Sequence, residues 1–195
     1  GKIVKAVWEE IFKYNPINKI IIDCSTIDLK TSIEIQTHAN KINIETLDAP
    51  VSGGVMGADN GSLTFMVGGE ESTYKKTKFL FDIMGKNSIL CGAIGAGQSI
   101  KMCNNMLLAI TMTGLGESLK LAKNLNLDIS KFYDVLSTSS ASCWAINNYF
   151  PIKGIGPKSP ADKDFNGGFS SLKLKQPMGV WARGILALVT SVFVA

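Results

Sequence analysis

A lysine followed three and four residues later by asparagines (Lys101, Asn104, Asn105) stands just beyond the glycine-rich run Gly92-Ala-Ile-Gly95-Ala-Gly97. Past Gly97, apolar residues recur at Ile100, Cys103, Met106, Leu107 and Ile110, a spacing near 3.6 that predicts a helix. On a helix, positions i, i+3 and i+4 share a face, so an ammonium and two amides stand beside an apolar stripe. Polar groups in such a place are costly unless something polar meets them, and a small polar substrate would do so. A lysine whose pKa is lowered by burial or by nearby positive charge is a base for an alcohol proton. A solvated helix face is the competing reading of the same three residues.

A second segment bears on that choice. Asp48-Ala-Pro-Val-Ser52-Gly53-Gly54 follows a strand-like stretch at 42–47. Its serine hydroxyl and the N–H groups of two residues without a Cβ make a cradle for an anion such as a carboxylate. Ser-Gly-Gly is also a common loop.

Five segments carry a family pattern: Ile22-Asp-Cys-Ser25-Thr26-Ile-Asp28, Asp48 to Gly54, Leu63-Thr-Phe-Met-Val-Gly-Gly69, Gly97-Gln98 and Lys101-Met-Cys-Asn-Asn-Met-Leu-Leu-Ala109. Cys143-Trp144 and the loop from Pro151 to Phe169 continue it. Through them the chain resembles the β-hydroxyacid dehydrogenase family over about 20–169. The resemblance implies Lys101 as the catalytic acid–base residue and Asn105 as the group that orients substrate or lysine. It places Asn104, Ser52, Gly53 and Gly54 against the substrate, the last three at its carboxylate. Thr26, with Ser25 beside it, would touch the nicotinamide cofactor, NAD with NADP left open. Lys175 would meet cofactor or substrate if one residue is deleted before it.

The same resemblance implies oxidation of a small hydroxy acid. The 151–169 loop points to 3-hydroxyisobutyrate and its product methylmalonate semialdehyde, a step of valine breakdown. Sister activities on glyoxylate, succinic semialdehyde or tartronate semialdehyde stay open, as does a non-catalytic binding or scaffold role. A homo-oligomer, at least a dimer, and a mitochondrial location in a eukaryote are also implied.

Two departures from the family pattern set further expectations. The family carries a G-x-G-x-x-G turn that holds the dinucleotide pyrophosphate at a helix N-terminus. Here one helix-like segment at 3–12 precedes the strand that begins at Ile20. Gly92 to Gly97 does not replace that turn, because Ile100 stands where the fingerprint wants glycine or alanine. The phosphate-binding half is expected to be absent, and the chain alone to lack dehydrogenase activity. At the other end, Gln176 stands for a family aspartate and Pro177 would break the expected helix. The apolar tail that follows reads as an anchor, a buried segment or foreign sequence. It falls short of the roughly 20 apolar residues a span needs, and the abrupt loss of pattern favours the last.

The composition excludes little. Net charge is +4, with 46% hydrophobic and 18% charged residues, ordinary for a globular chain. The densest basic cluster, Lys75-Lys76-Thr-Lys78, lacks stacking aromatics, so no nucleic-acid partner is expected, and no membrane partner either. Four widely spaced cysteines without C-x-x-C, and His38 as the single histidine, argue against zinc and read as reduced core thiols.

The elements that must hold these residues alternate. Helix is expected at 2–13, strand at 20–23, helix at 29–40 capped by Asp28, strand at 42–47, strand at 63–67, helix at 71–83 and strand at 88–91. A long helix at 98–124, in which Gly114 and Gly116 allow close packing or a bend, and a shorter one at 128–136 follow, with loops at 137–142 and 151–168. This is α/β followed by all-α. With the resemblance, it implies the distal half of a Rossmann-like NAD-binding domain (1–97), joined by the long helix to a truncated helical substrate and dimerisation domain (98–176), with a tail at 177–195 outside the pattern.

Overall fold

The computed structural model describes residues 1–14 and 19–163, so Lys175 and the 177–195 tail lie outside the described residues. In order come helix α1 (Lys2–Lys13), strand β1 (Ile20–Asp23), α2 (Leu29–Lys41), β2 (Glu45–Asp48), β3 (Val51–Ser52), α3 (Gly54–Asp59), β4 (Leu63–Gly69), α4 (Glu71–Met84), β5 (Gly85–Gly92), α5 (Ala96–Asn124), α6 (Ile129–Thr138), α7 (Trp144–Tyr149) and a 3-10 turn (Pro160–Lys163). The α/β-then-α architecture is the one expected. The chain divides into two compact units between Asn104 and Asn105.

The first unit is a mixed sheet between helices. β1 and β2 run parallel, with Ile22 opposite Leu47 and Asp23 opposite Asp48. β2 and β3 lie end to end along one side of β4, both antiparallel to it, and β5 runs parallel along the other side. Successive residues of a strand face opposite sides. Accordingly Ile21 packs with Trp8, Ile35, Ala39 and Ile44 under α1 and α2, whereas Ile22 packs with Leu47, Phe65, Val67 and Phe81 under α4. The helices follow the 3.6 period: in α2 the buried positions are Ser32, Ile35, Gln36 and Ala39.

In the second unit Met112, Leu115 and Leu119 of α5 form a core with Ala145, Ile146 and Phe150, and α6 adds Phe132, Tyr133 and Leu136. Tyr133 and Phe150 meet edge to face at 4.9 Å. The loop that follows is pinned, because Asp162 accepts from the N–H groups of Gly154 and Ser159 while the Ser159 hydroxyl donates to the Phe150 carbonyl.

Three local expectations are corrected, and the buried face of α5 is located. Residues 42–44 are not strand. Asn43, at φ 59°, closes α2 in a Schellman turn in which the Ile44 and Asn43 N–H groups reach the carbonyls of Ala39 and Asn40. Asn126 closes α5 in the same way. The apolar stripe of Ile100, Met106, Leu107 and Ile110 is exposed; the buried stripe of α5 begins at Leu108 and continues through Met112, Leu115 and Leu119. Cys24 and Cys103 are exposed, and Cys91 and Cys143 only half-buried, so these are not core thiols. The residues after Ser52 open the short helix α3 instead of a loop.

Candidate active site

The carboxyl ends of β1 and β2 carry two aspartates with different duties. Asp23 receives the Trp8 indole N–H at 3.0 Å and the Ser25 N–H at 2.9 Å, which fixes the turn of loop 24–27 where it leaves the sheet. Asp48 is wholly buried and faces the first turn of α5. Its Oδ1 accepts from the Gly95 N–H at 2.8 Å, and its Oδ2 from the Gln98 N–H at 2.9 Å. The Gln36 amide donates to Oδ1 at 3.3 Å, itself held by Ser32 and Thr46. A carboxylate against the unsatisfied N–H groups of a helix start is favoured by both hydrogen bonding and the helix dipole.

Gln98 carries the connection onward. Its side chain, 1% exposed, donates to the Ser25 carbonyl at 2.7 Å and accepts from the Ile27 N–H at 3.2 Å. The loop bearing Ser25 and Thr26 is thereby clamped to the start of the helix that bears Lys101. The close approach requires glycine: a Cβ on Gly97 would strike the Met66 carbonyl and the Asp48 carboxylate, and one on Gly68 the same carboxylate.

Lys101 follows one turn beyond Gln98 and is half-buried. Burial pushes its ammonium below the ordinary lysine value, the direction a base near neutral pH needs. On α5, Asn104 is exposed and Asn105 half-buried. Ser52 pairs with Thr64 of β4, four residues beyond Asp48. Gly53 and Gly54 then turn through φ 133° and 61°, values that side chains rarely adopt, and the Gly57 N–H bonds to the Gly53 carbonyl to begin α3. The structure thus brings the Ser25–Thr26 loop and the Lys101 helix start together, with Ser52–Gly54 leaving the sheet just past their shared anchor. Gln98 stands in the family pattern without a role, and its contacts, Gln36 and the anchoring part of Asp48 were not read from the sequence; a glutamine between Gly97 and Ser99 gives no local sign of its partners.

Comparison with known proteins gives the family. Residues 1–95 match the family model described as the NAD binding domain of 6-phosphogluconate dehydrogenase. Residues 95–175 match that described as NAD-binding of NADP-dependent 3-hydroxyisobutyrate dehydrogenase. The mitochondrial 3-hydroxyisobutyrate dehydrogenase of Drosophila melanogaster is 41% identical over 180 residues, which cover 91% of this chain and 55% of that protein. A probable 3-hydroxyisobutyrate dehydrogenase of Mycobacterium tuberculosis is 37% identical, covering 92% and 61%. The solved structure of Mycobacterium tuberculosis 3-hydroxyisobutyrate dehydrogenase with L-serine superposes with a TM-score of 0.80 at 33% identity, over 98% of this chain and 68% of that one. The chain belongs to the 3-hydroxyisobutyrate dehydrogenase family of β-hydroxyacid dehydrogenases. It spans little more than half the length of the curated relatives just named.

Proposed function

We propose that the complete protein oxidises a small β-hydroxy acid, 3-hydroxyisobutyrate foremost, to the corresponding semialdehyde as a step of valine breakdown. The observation that carries this reading is the half-buried Lys101 with its lowered pKa, on a helix whose first turn is locked to loop 24–27. That loop lies at the carboxyl ends of parallel strands, where α/β sheets bind their ligands, and its hydroxyls and backbone groups suit the amide of a nicotinamide. NAD bound there supplies the hydride acceptor; NADP is the other candidate, since one matching family model is of an NADP-dependent enzyme.

In this reading neutral Lys101 takes the hydroxyl proton as the carbon–hydrogen bond is given up, and returns it in the reverse direction. Ser52 and the N–H groups of Gly53 and Gly54 hold the carboxylate. Asn105 orients lysine or substrate, Asn104 lines the same site, and Ser25 and Thr26 face the cofactor, with Lys175 as a further contact. L-serine, present in the mycobacterial structure, has the two handles such a site needs, a carboxylate and a hydroxyl on carbon 3. A homo-oligomer and a mitochondrial location, the latter in the name of the fly relative, complete the proposal.

The test is Lys101→Ala in the complete protein. The rate is expected to fall about 10²–10⁴-fold, the usual worth of a general base. In the parent protein kcat/KM should rise with pH and level off above the pKa of Lys101, short of the ordinary lysine value near 10.4. An undiminished rate in Lys101→Ala overturns the reading. A panel of hydroxy acids and semialdehydes separates 3-hydroxyisobutyrate from its sister substrates.

A further inference from the structure

We propose that Asp48 and Gln98 are positioning residues of this site, Asp48 fixing the catalytic helix and Gln98 registering the cofactor-facing loop against it. The inference rests on the lysine-dependent hydride transfer proposed above. Asp48 touches no reacting atom in that scheme, yet both of its oxygens are committed to the turn that launches α5, through Gly95 and Gln98. Lys101 is three residues beyond Gln98 on the same helix, so the azimuth and depth of its ammonium follow from where that turn is held.

Gln98 then uses both ends of its amide on loop 24–27, donating to Ser25 and accepting from Ile27. The two residues whose peptide groups it grips bracket Thr26. One buried network therefore sets two distances at once, lysine to substrate and cofactor loop to lysine. Glycines at 68 and 97 leave the network no slack, because the carboxylate and the Met66 carbonyl fill the space a side chain would need. The cost of such an arrangement is justified by placement, since a misplacement of about 1 Å at a reacting group costs on the order of a hundredfold in rate.

Asp48→Asn is the sharpest probe. It is nearly the same size, but its amide nitrogen must face an N–H donor, at either Gly95 or Gln98. Three readouts apply to the complete protein: the pH midpoint for acylation of Lys101 without cofactor, read by peptide mass; NADH affinity by fluorescence titration; and kcat with KM. For Asp48→Asn the Lys101 midpoint is expected to move up toward the ordinary lysine value, with kcat falling about a hundredfold. For Gln98→Met, which keeps the volume and loses both side-chain bonds, NADH binding is expected to weaken about tenfold, as one or two lost hydrogen bonds imply, with the Lys101 midpoint unmoved.

A folded Asp48→Asn with an unshifted midpoint overturns the role of Asp48, and unchanged NADH affinity in Gln98→Met overturns that of Gln98. If Asp48→Asn does not fold, amide exchange of the parent protein decides the point: slow exchange at Gly95 and Gln98 relative to the rest of 92–98 supports it, and fast exchange at both overturns it. The midpoint and NADH measurements stand even if Lys101→Ala proves fully active, so failure of this inference is distinguishable from failure of the proposed chemistry.

Discussion

Helices α2 and α5 both start on an aspartate, and the two starts are built on opposite principles. Asp28 is an exposed residue adjoining α2 in sequence; its Oδ1 accepts from the Thr31 N–H three residues on, at 2.8 Å. Asp128 does the same for α6 through Ser130 and Lys131. Asp48 is wholly buried and reaches the start of α5 from 47 and 50 residues away. A local cap decides that a helix begins at a given residue. The distant carboxylate also decides where in space it begins, and the helix so treated is the one that carries the proposed catalytic lysine.

The comparison is most easily broken at Asp48. Asp48→Ala leaves two backbone N–H groups and a glutamine amide buried without their acceptor, and is expected to cost about 3 kcal/mol or more of stability, read as a lower urea midpoint. A loss no larger than that of Asp28→Ala would erase the distinction. Gly97→Ala tests the same contact from the helix side. Its methyl group drives against the Met66 carbonyl and the Asp48 carboxylate, at an expected cost of about 1–3 kcal/mol, and an undisturbed midpoint would mean the packing gives way freely. Asp28→Ala removes only a local cap, worth about 1 kcal/mol.

The smallest effect sharpens the contrast through pH. The hydrogen bond from the Thr31 N–H holds the Asp28 carboxyl below the usual aspartate range. Its contribution is therefore present above the unfolded value of about 3.9 and is lost as pH falls through the lower folded value. Parent and Asp28→Ala should converge in stability below about pH 4 and stay apart above it. A constant gap down to strongly acidic pH would mean that the carboxylate is not what caps α2.

What could be read in advance follows the same division. The bounds of α1 and β1, the Asp28 cap, and α4 to within a residue rest on periodicity and on partners a few positions away; Asp128, expected inside its helix, instead caps it. Asn43 and Asn126 hid two Schellman turns because asparagine is a weaker sign of a left-handed residue than glycine, so strand was expected at 42–44. The exposure of Ile100, Met106, Leu107 and Ile110 is not legible in their spacing, since periodicity locates an apolar face without saying what covers it. In the site, the residue types at Lys101, Ser52 and Gly53 suggested chemistry by themselves. The contacts of Gln98 with Ser25 and Ile27 span more than seventy residues, and nothing near Gln98 in the chain announces them.

The long reach of Asp48 also has a kinetic consequence. Contacts that close loops of 47 to 73 residues are entropically late, whereas the helical turns they anchor form locally and fast. During refolding, helical signal from α5 should therefore appear before Lys101 acquires its depressed pKa. In that interval the chain would hold its secondary structure without the assembled site, and the last event of folding in this unit would be the seating of one carboxylate on one helical turn.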